Sequence, residues 1–508
     1  MTTMTSTAAA RSPLLLLCAA LFLSLTGFEC ASTEMTTAKV AINAKDYKKA
    51  EESLKREVTA RPQNSEAWIL LAKIYEEQGR FAELNDAFDH AQTATQPPLT
   101  AEQREAIVIK RYNFWSIMYN AAGKARSAGD YQLAMRKIDT AITLRPDANE
   151  NYYLQGLVAG SAGDSNRQMR IYQDYARRVR PDVDKGVASG LALGMSPVDV
   201  QRALGTPTEG EVDSTGGWAY FASKGLALYY APTQTGEISL NGWRGIAASD
   251  AAILRRIPAS IQSDVFYALG VEAYYAGERN RARYDDALNS FRLVEKLDPS
   301  YKDVGRTIAQ IYITTGRTKE ARERYEQEIR DNPNDPTLAI NYGNFLINMK
   351  DYQGAIDRYQ QAARVAEGKE EERFHQALFN LGAAYKNWGA ELQDSIRKVT
   401  GSKAPTRQQE EIYMSKLRES VRQFERLREI KGTTVDFGVL FELANLYQVL
   451  GDNTKMKGLL GSLESMKGTQ GESSSYWYAM SRLYANIGDG PKSESALSKA
   501  DALKAQGK

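Results

Sequence analysis

The sequence has very little cysteine and histidine, and this scarcity excludes several kinds of chemistry. Two of the 508 residues are cysteine and two are histidine. Cys18 and Cys30 lie close to the start of the chain, and His90 and His375 are far apart. After Cys30 the chain can therefore form no disulfide, no zinc site with cysteine ligands and no catalytic thiol. Neither histidine lies near a serine-centred nucleophile motif.

A strong net charge and a phosphate-binding loop are also missing. Lysine and arginine number 65 and aspartate and glutamate number 63, so no net field attracts nucleic acid or an anionic membrane. Gly186, Gly190 and Gly194 are spaced wrongly for a nucleotide-binding loop. The sequence therefore predicts a protein that is not an enzyme, uses no cofactor or metal ion, and does not bind nucleic acid.

One hydrophobic run near the N-terminus has the length of an export signal. It covers residues 13–25, follows the single early charge of Arg11 and is too short to span a bilayer comfortably. Cys30, followed by Ala31, resembles the acylated cysteine of bacterial lipoproteins, although Glu29 departs from their usual motif. We predict a signal peptide at 1–30 and a periplasmic protein. Anchoring to the outer membrane through Cys30, a soluble exported form and a cytoplasmic protein remain alternatives.

A pattern of paired helices recurs along the chain at about 34 residues. Trp68, Ala72 and Tyr75 share one helical face, and Phe88 and Ala91 share the face of the next helix. This pattern resembles the tetratricopeptide repeat, in which a small residue of the first helix lets the two helices approach closely. The resemblance implies stacked helix pairs, so we interpret the aromatic residues as core rather than as a cofactor site.

The repeats predict two helical arrays, at 34–183 and 260–503, separated by a segment of another kind. In that segment Ser196 and Pro197 predict the start of a short helix, and Gly205 predicts its end. Short stretches of alternating apolar residues follow, which predict three antiparallel strands. These strands are 216–221, 225–230 and 236–242.

The middle segment, 186–247, resembles the SmpA/OmlA (BamE-like) fold. The resemblance rests on Gly194, on Leu204-Gly205 with Pro207, and on Trp218 and Tyr220. It implies a small α+β module with one helix and a three-stranded sheet, of a type found in envelope proteins. The predicted fold class is therefore mainly α, with two solenoid arrays flanking an α+β domain.

Polar residues on the first helices of the second array are candidates for a peptide-binding groove. Some tetratricopeptide domains clamp a peptide's terminal carboxylate with basic and asparagine side chains at corresponding positions. Here Gln376 and Asn380 replace the basic third pair of that clamp. A solvated groove with no ligand is the alternative. The candidates are Arg306, Gln310, Asn341, Asn344 and Asn380.

Together these features predict a non-catalytic scaffold of the bacterial cell envelope that binds proteins or peptides. Its middle module would dock to a second component. The alternative, which the BamE-like resemblance implies, is an accessory factor for outer-membrane protein assembly or secretion. A cytoplasmic co-chaperone is a third option. Contact with a membrane is expected only through a lipid on Cys30.

Overall fold

The computed structural model describes residues 32–247, 252–301 and 303–506. Cys30 and the predicted signal peptide at 1–30 lie outside the described residues. Within these three ranges, no helix combines the length and the apolar character needed to cross a membrane. The chain divides into two compact units, one that ends at Val304 and one that begins at Gly305.

The first unit is built mainly of helices that pack in sequential pairs. The pairs α1–α2, α3–α4, α5–α6, α7–α8 and α10–α11 make extensive contacts. A 3-10 turn at Ala252–Arg256 precedes α10. The bounds of these helices are α1 Thr33–Asn43, α2 Tyr47–Ala60, α3 Ser65–Glu77, α4 Phe81–Thr93, α5 Ala101–Ser127, α6 Tyr131–Leu144, α7 Glu150–Ser161, α8 Ser165–Ala188, α9 Pro197–Leu204, α10 Ser263–Gly277 and α11 Arg283–Leu297.

A glycine followed by an aspartate makes the turn inside several pairs. Gly129 has φ of +80°, a conformation that favours glycine, and it ends α5. The next residue, Asp130, accepts a hydrogen bond from the backbone N–H of Leu133 at 2.9 Å. This side chain satisfies a donor that the first turn of α6 cannot pair internally. The sequence Gly163-Asp164 repeats the device before α8.

The sheet has four antiparallel strands in the order β1-β2-β3-β4, not the predicted three. The missed strand is β1, whose five residues are all exposed. No apolar alternation therefore marks it in the sequence. The predicted limits of α9 are confirmed, because Ser196 caps it and Gly205 has φ of +85°. The strands are β1 Glu209–Asp213, β2 Gly216–Phe221, β3 Leu226–Pro232 and β4 Ile238–Gly245.

The sheet packs directly on α8 of the repeat helices. The indole N–H of Trp243 donates to the carbonyl oxygen of Asp182 at 2.7 Å. A carboxylate oxygen of Asp182 accepts from the backbone N–H of Gly245 at 2.8 Å. Gly186 leaves room for the Trp243 ring, which would lie 2.0 Å from a Cβ there. Helices α10 and α11 also contact α8. The boundaries of the predicted domains 34–183, 186–247 and 260–503 remain predictions.

The second unit continues the helical pairing. The division between the units falls after the first residue of α12. Helices α14–α15, α16–α17, α18–α19 and α21–α22 pack as pairs. Their bounds are α12 Val304–Thr314, α13 Thr318–Asp331, α14 Pro336–Asn348, α15 Tyr352–Ala366, α16 Glu371–Thr400, α17 Arg407–Lys431, α18 Phe437–Val449, α19 Asn453–Ser465, α20 Lys467–Gln470, α21 Ser474–Asn486 and α22 Gly490–Ala505.

A small residue faces an aromatic ring inside many of these pairs, as the repeat pattern predicts. In each case a Cβ added to the glycine would collide with the ring. The helices of such pairs approach closely because the glycine has no side chain. The helical solenoid fold is confirmed by this packing. The facing residues are Gly156 and Tyr172, Gly277 and Tyr284, Gly343 and Tyr359, and Gly382 and Phe424.

Candidate peptide-binding face

The predicted groove residues lie on α12, α14 and α16, the first helices of successive repeats. We call the surface they form the asparagine face. Gln310 and Asn344 are exposed, and the other three residues are half-buried. The asparagine face consists of Arg306, Gln310, Asn341, Asn344 and Asn380.

The periodicity of α14 explains why its two asparagines remain accessible. Leu338, Tyr342 and Phe345 are buried and face the neighbouring helices. Asn341 and Asn344 are three residues apart, so they share a side of the helix that the apolar residues do not occupy. Amide side chains carry both donors and acceptors, which allows them to bond to a peptide backbone.

A hydrogen-bond network joins two of the predicted residues across successive repeats. The side-chain amide of Asn380 donates to the side-chain oxygen of Asn344 at 3.3 Å. The hydroxyl of Tyr359 donates to the same oxygen at 2.7 Å. Asn344 is therefore held in one orientation by α15 and α16. Asn344 is an exposed residue, and its side-chain amide also carries two N–H donors.

Tyr359 is not among the predicted groove residues, because the aromatic residues of the repeats were interpreted as core. The assignment is correct for the ring, which is 2% exposed. Burial raises the pKa of the Tyr359 hydroxyl, so it stays protonated and acts as a donor. A buried tyrosine hydroxyl needs a hydrogen-bond partner, and this need was the signal that could have identified the network.

The cationic end of the asparagine face is partly neutralised. A guanidinium nitrogen of Arg306 lies 3.6 Å from a carboxylate oxygen of Asp335. Asp335 is the N-cap of α14 and accepts from the backbone N–H of Leu338 at 2.9 Å. Gln310 bonds only weakly to Thr314 of its own helix, at 3.4 Å. Arg306 is therefore tied to a helix cap, whereas Gln310 can turn toward a ligand.

A basic residue lies beside the position where the carboxylate clamp is incomplete. Arg373 precedes Gln376 by three residues on α16, and its guanidinium donates to the Gln376 side-chain oxygen at 2.9 Å. Arg373 is not among the residues predicted from the sequence, because only the positions that correspond to the clamp, Gln376 and Asn380, were compared with it. The spacing of three residues, which places two side chains on one helical face, could have identified it.

The asparagine face carries no arrangement suited to metal catalysis. Across 32–247, 252–301 and 303–506, no three or more His, Cys, Asp or Glu side chains form a group that could hold a metal ion. The residues of the face are amides and one arginine, which bind by hydrogen bonds and charge. These side chains are suited to hydrogen bonds with polar groups.

Two segments of the chain match the tetratricopeptide repeat family. They are residues 35–95 and residues 281–340. These two segments are similar to tetratricopeptide repeats. Tetratricopeptide repeats are typically non-catalytic and bind proteins or peptides, which agrees with the polar chemistry of the asparagine face. No curated protein sequence matches the chain.

Solved structures with tetratricopeptide repeats resemble the chain at low identity. PilF of Pseudomonas aeruginosa is 18% identical, with a TM-score of 0.31, and the match covers 46% of this chain and 88% of that one. PilW, a type IV pilus biogenesis factor, is 14% identical, with a TM-score of 0.33 and coverage of 47% and 92%. Yeast Tom70 is 10% identical, with a TM-score of 0.29 and coverage of 93% and 88%.

Proposed function

We propose that this chain is a non-catalytic scaffold that binds an extended peptide or protein segment on the asparagine face. The observation that carries the proposal is the bond between Asn344 and Asn380, which aligns amides from two successive repeats. An extended peptide offers backbone donors and acceptors at regular intervals. Asn341 and Gln310 continue the row of amides on α14 and α12.

The form of this face favours recognition of the backbone over one fixed sequence. Amide side chains can pair with any peptide unit, since each peptide unit has one N–H and one C=O. The Arg306 charge is shared with Asp335, so a full carboxylate clamp is not part of the proposal. We infer that several related segments can occupy the face.

For the cellular setting, we propose the bacterial cell envelope. The support is the apolar run at 13–25 and the resemblance of Cys30 to a lipidated cysteine. Sequencing of the N-terminus of the native protein should place the mature start at or shortly after Cys30, and retention of Met1 would overturn the proposal. Replacement Cys30→Ser should release the protein from membranes. The alternative of outer-membrane assembly rests on the BamE-like resemblance and would require co-purification of barrel proteins.

The binding proposal is tested by affinity capture from the native source followed by quantitative mass spectrometry. The double variant Gln310→Ala, Asn341→Ala removes two amides and spares Asn344, which has a structural role. Each lost hydrogen bond costs about 0.5–1.5 kcal/mol, so partner recovery should fall about tenfold. The control is Gln393→Ala, Asn334→Ala, which removes the same side chains from exposed positions elsewhere. Equal recovery by both variants would contradict the proposal.

A further inference from the structure

A cleft in the second unit lies between α13 and α15, with α14 beneath it. Its volume is about 370 Å³, which is in the range of sites that hold one small group. The apolar part of the lining comes from Ile329 of α13 and from Tyr342 and Leu346 of α14. We call this the α13–α15 cleft.

Three arginines surround the α13–α15 cleft. Arg322 and Arg330 are eight residues apart on α13, so they lie on one side of the helix, and Arg358 faces them from α15. Arg322 forms an ion pair with Asp351 at 3.0 Å. Glu326 accepts from the hydroxyl of Tyr342 at 3.2 Å. The lining thus contains three arginines and one glutamate. Asp351, which pairs with Arg322, is not part of the lining.

Two of the three arginines are bonded to neutral groups. Arg330 donates to the side-chain oxygen of Gln327 at 2.8 Å. Arg358 donates to the side-chain oxygen of Gln361 at 2.7 Å. Within the described ranges, no ion pair to a carboxylate is formed by either guanidinium. Because a guanidinium has five N–H donors in a planar fork, each can still accept a carboxylate in a bidentate contact.

We propose that the α13–α15 cleft binds a peptide segment in which an aspartate or glutamate lies beside a large apolar side chain. The carboxylate would bond to Arg330 and Arg358, and the apolar side chain would contact Ile329, which is half-buried. This site is independent of the asparagine face. Helix α14 directs Tyr342 and Leu346 to the cleft and Asn341 and Asn344 to a different side.

Both parts of the ligand are needed for physical reasons. An exposed ion pair alone contributes little, because water and salt screen it. The apolar contact adds the removal of hydrocarbon surface from water and excludes water from the arginines. A purely acidic polymer would lack the apolar contact, and a purely apolar peptide would leave the guanidinium groups without an anion.

The test uses the full chain and a short fluorescein-labelled peptide in which glutamates alternate with leucines. Binding is followed by fluorescence anisotropy at physiological ionic strength. The variant Arg330→Gln, Arg358→Gln should weaken binding about tenfold or more, since two charge-assisted contacts are lost. The variant Arg330→Lys, Arg358→Lys keeps the charge without the planar fork and should give an intermediate affinity.

Two controls separate this site from general attraction of charge. The variant Arg364→Gln, Arg407→Gln removes the same charge from exposed positions of the second unit and should leave the affinity nearly unchanged. A peptide with serine in place of leucine should bind much more weakly. The proposal would be overturned if the control variant lost as much affinity as Arg330→Gln, Arg358→Gln. Equal affinity for the serine and leucine peptides would overturn it as well. So would loss of binding in Gln310→Ala, Asn341→Ala, because the peptide would then occupy the asparagine face.

Discussion

The ring of Tyr359 occupies the space that a side chain on Gly343 would need. A Cβ on Gly343 would lie 2.5 Å from the Cε1 atom of that ring. The hydroxyl on the adjacent Cζ atom donates to the side-chain oxygen of Asn344 at 2.7 Å. One contact therefore closes the α14–α15 pair and also orients a residue of the asparagine face. Packing and the candidate binding surface are linked at this point.

This contact predicts that Gly343→Ala destabilises the second unit. The new methyl group must displace a buried ring, and overpacking of this kind costs about 1–3 kcal/mol. Chemical denaturation monitored by circular dichroism would measure the loss in free energy of unfolding. The matched control is Gly458→Ala in α19, where a Cβ would meet no atom within 4 Å. That change should stabilise the helix by about 0.5–1 kcal/mol, and equal effects at the two sites would contradict the close packing.

The network at Asn344 predicts coupling between two side chains. Asn344→Ala leaves the Tyr359 hydroxyl without a partner and should cost about 1–3 kcal/mol, whereas Tyr359→Phe removes the donor and should cost less. The double variant should be more stable than the sum of the two losses predicts, because the orphaned hydroxyl is gone. A double-mutant cycle of unfolding free energies measures this coupling free energy between Asn344 and Tyr359. Strict additivity would show that the bond does not contribute.

The half-buried carboxyl of Asp182 predicts a dependence of stability on pH. Burial raises the pKa of Asp182 above its ordinary value, against the lowering effect of the bond from Gly245 and the charges of Arg244 and Lys185. Protonation of Asp182 therefore favours the folded state. The stability contributed by protonated Asp182 is fully present below its pKa in the unfolded chain, about 3.9. It is lost as the pH rises through the higher pKa of the folded state.

The variant Asp182→Asn does not titrate and keeps an oxygen that can accept from Gly245. Relative to the wild type, it should be more stable near neutral pH, and this advantage should shrink toward about pH 4. Thermal unfolding at several pH values measures the difference. An advantage that stays constant with pH would mean that ionisation of Asp182 is not its source.

The cap of α9 predicts a local change. The Ser196 hydroxyl accepts from the backbone N–H of Asp199 at 3.1 Å, so Ser196→Ala should cost about 1 kcal/mol. The Ser196 hydroxyl also donates to the Asp199 carboxylate at 2.7 Å. Ser196→Thr keeps a hydroxyl that can make both bonds and serves as the control. Hydrogen exchange of the backbone amides of α9 should accelerate in the alanine variant, while those of α14 should not change. Accelerated exchange in both helices would contradict a local role.

The sequence predicted those structural features that depend on a few neighbouring residues, such as the two ends of a helix. Ser196 and Pro197 predict the start of α9 and Gly205 predicts its end, because these features are local. Strand β1 was not predicted, since its exposed side chains leave no apolar pattern. It is recognisable only through its pairing with β2.

The candidate sites were only partly predictable for a different reason. Asn344 and Asn380 were identified from their positions in the repeats, but their bond depends on how α14 and α16 pack. Arg330 and Arg358 come from helices that are separate in the sequence, and their approach is a property of the tertiary fold. A pattern within one helix cannot report which side chains of another helix lie opposite.

The most direct test of the scaffold proposal is site-specific photo-crosslinking of the native protein. A benzophenone side chain at position 341 lies on the asparagine face, and one at position 334 lies in the exposed loop before α14. The proposal predicts crosslinks from position 341 to an extended segment of a partner protein, reduced by Gln310→Ala, and none of these from position 334. If both positions give the same partners at the same yield, or if position 341 gives none, the asparagine face is not a binding site.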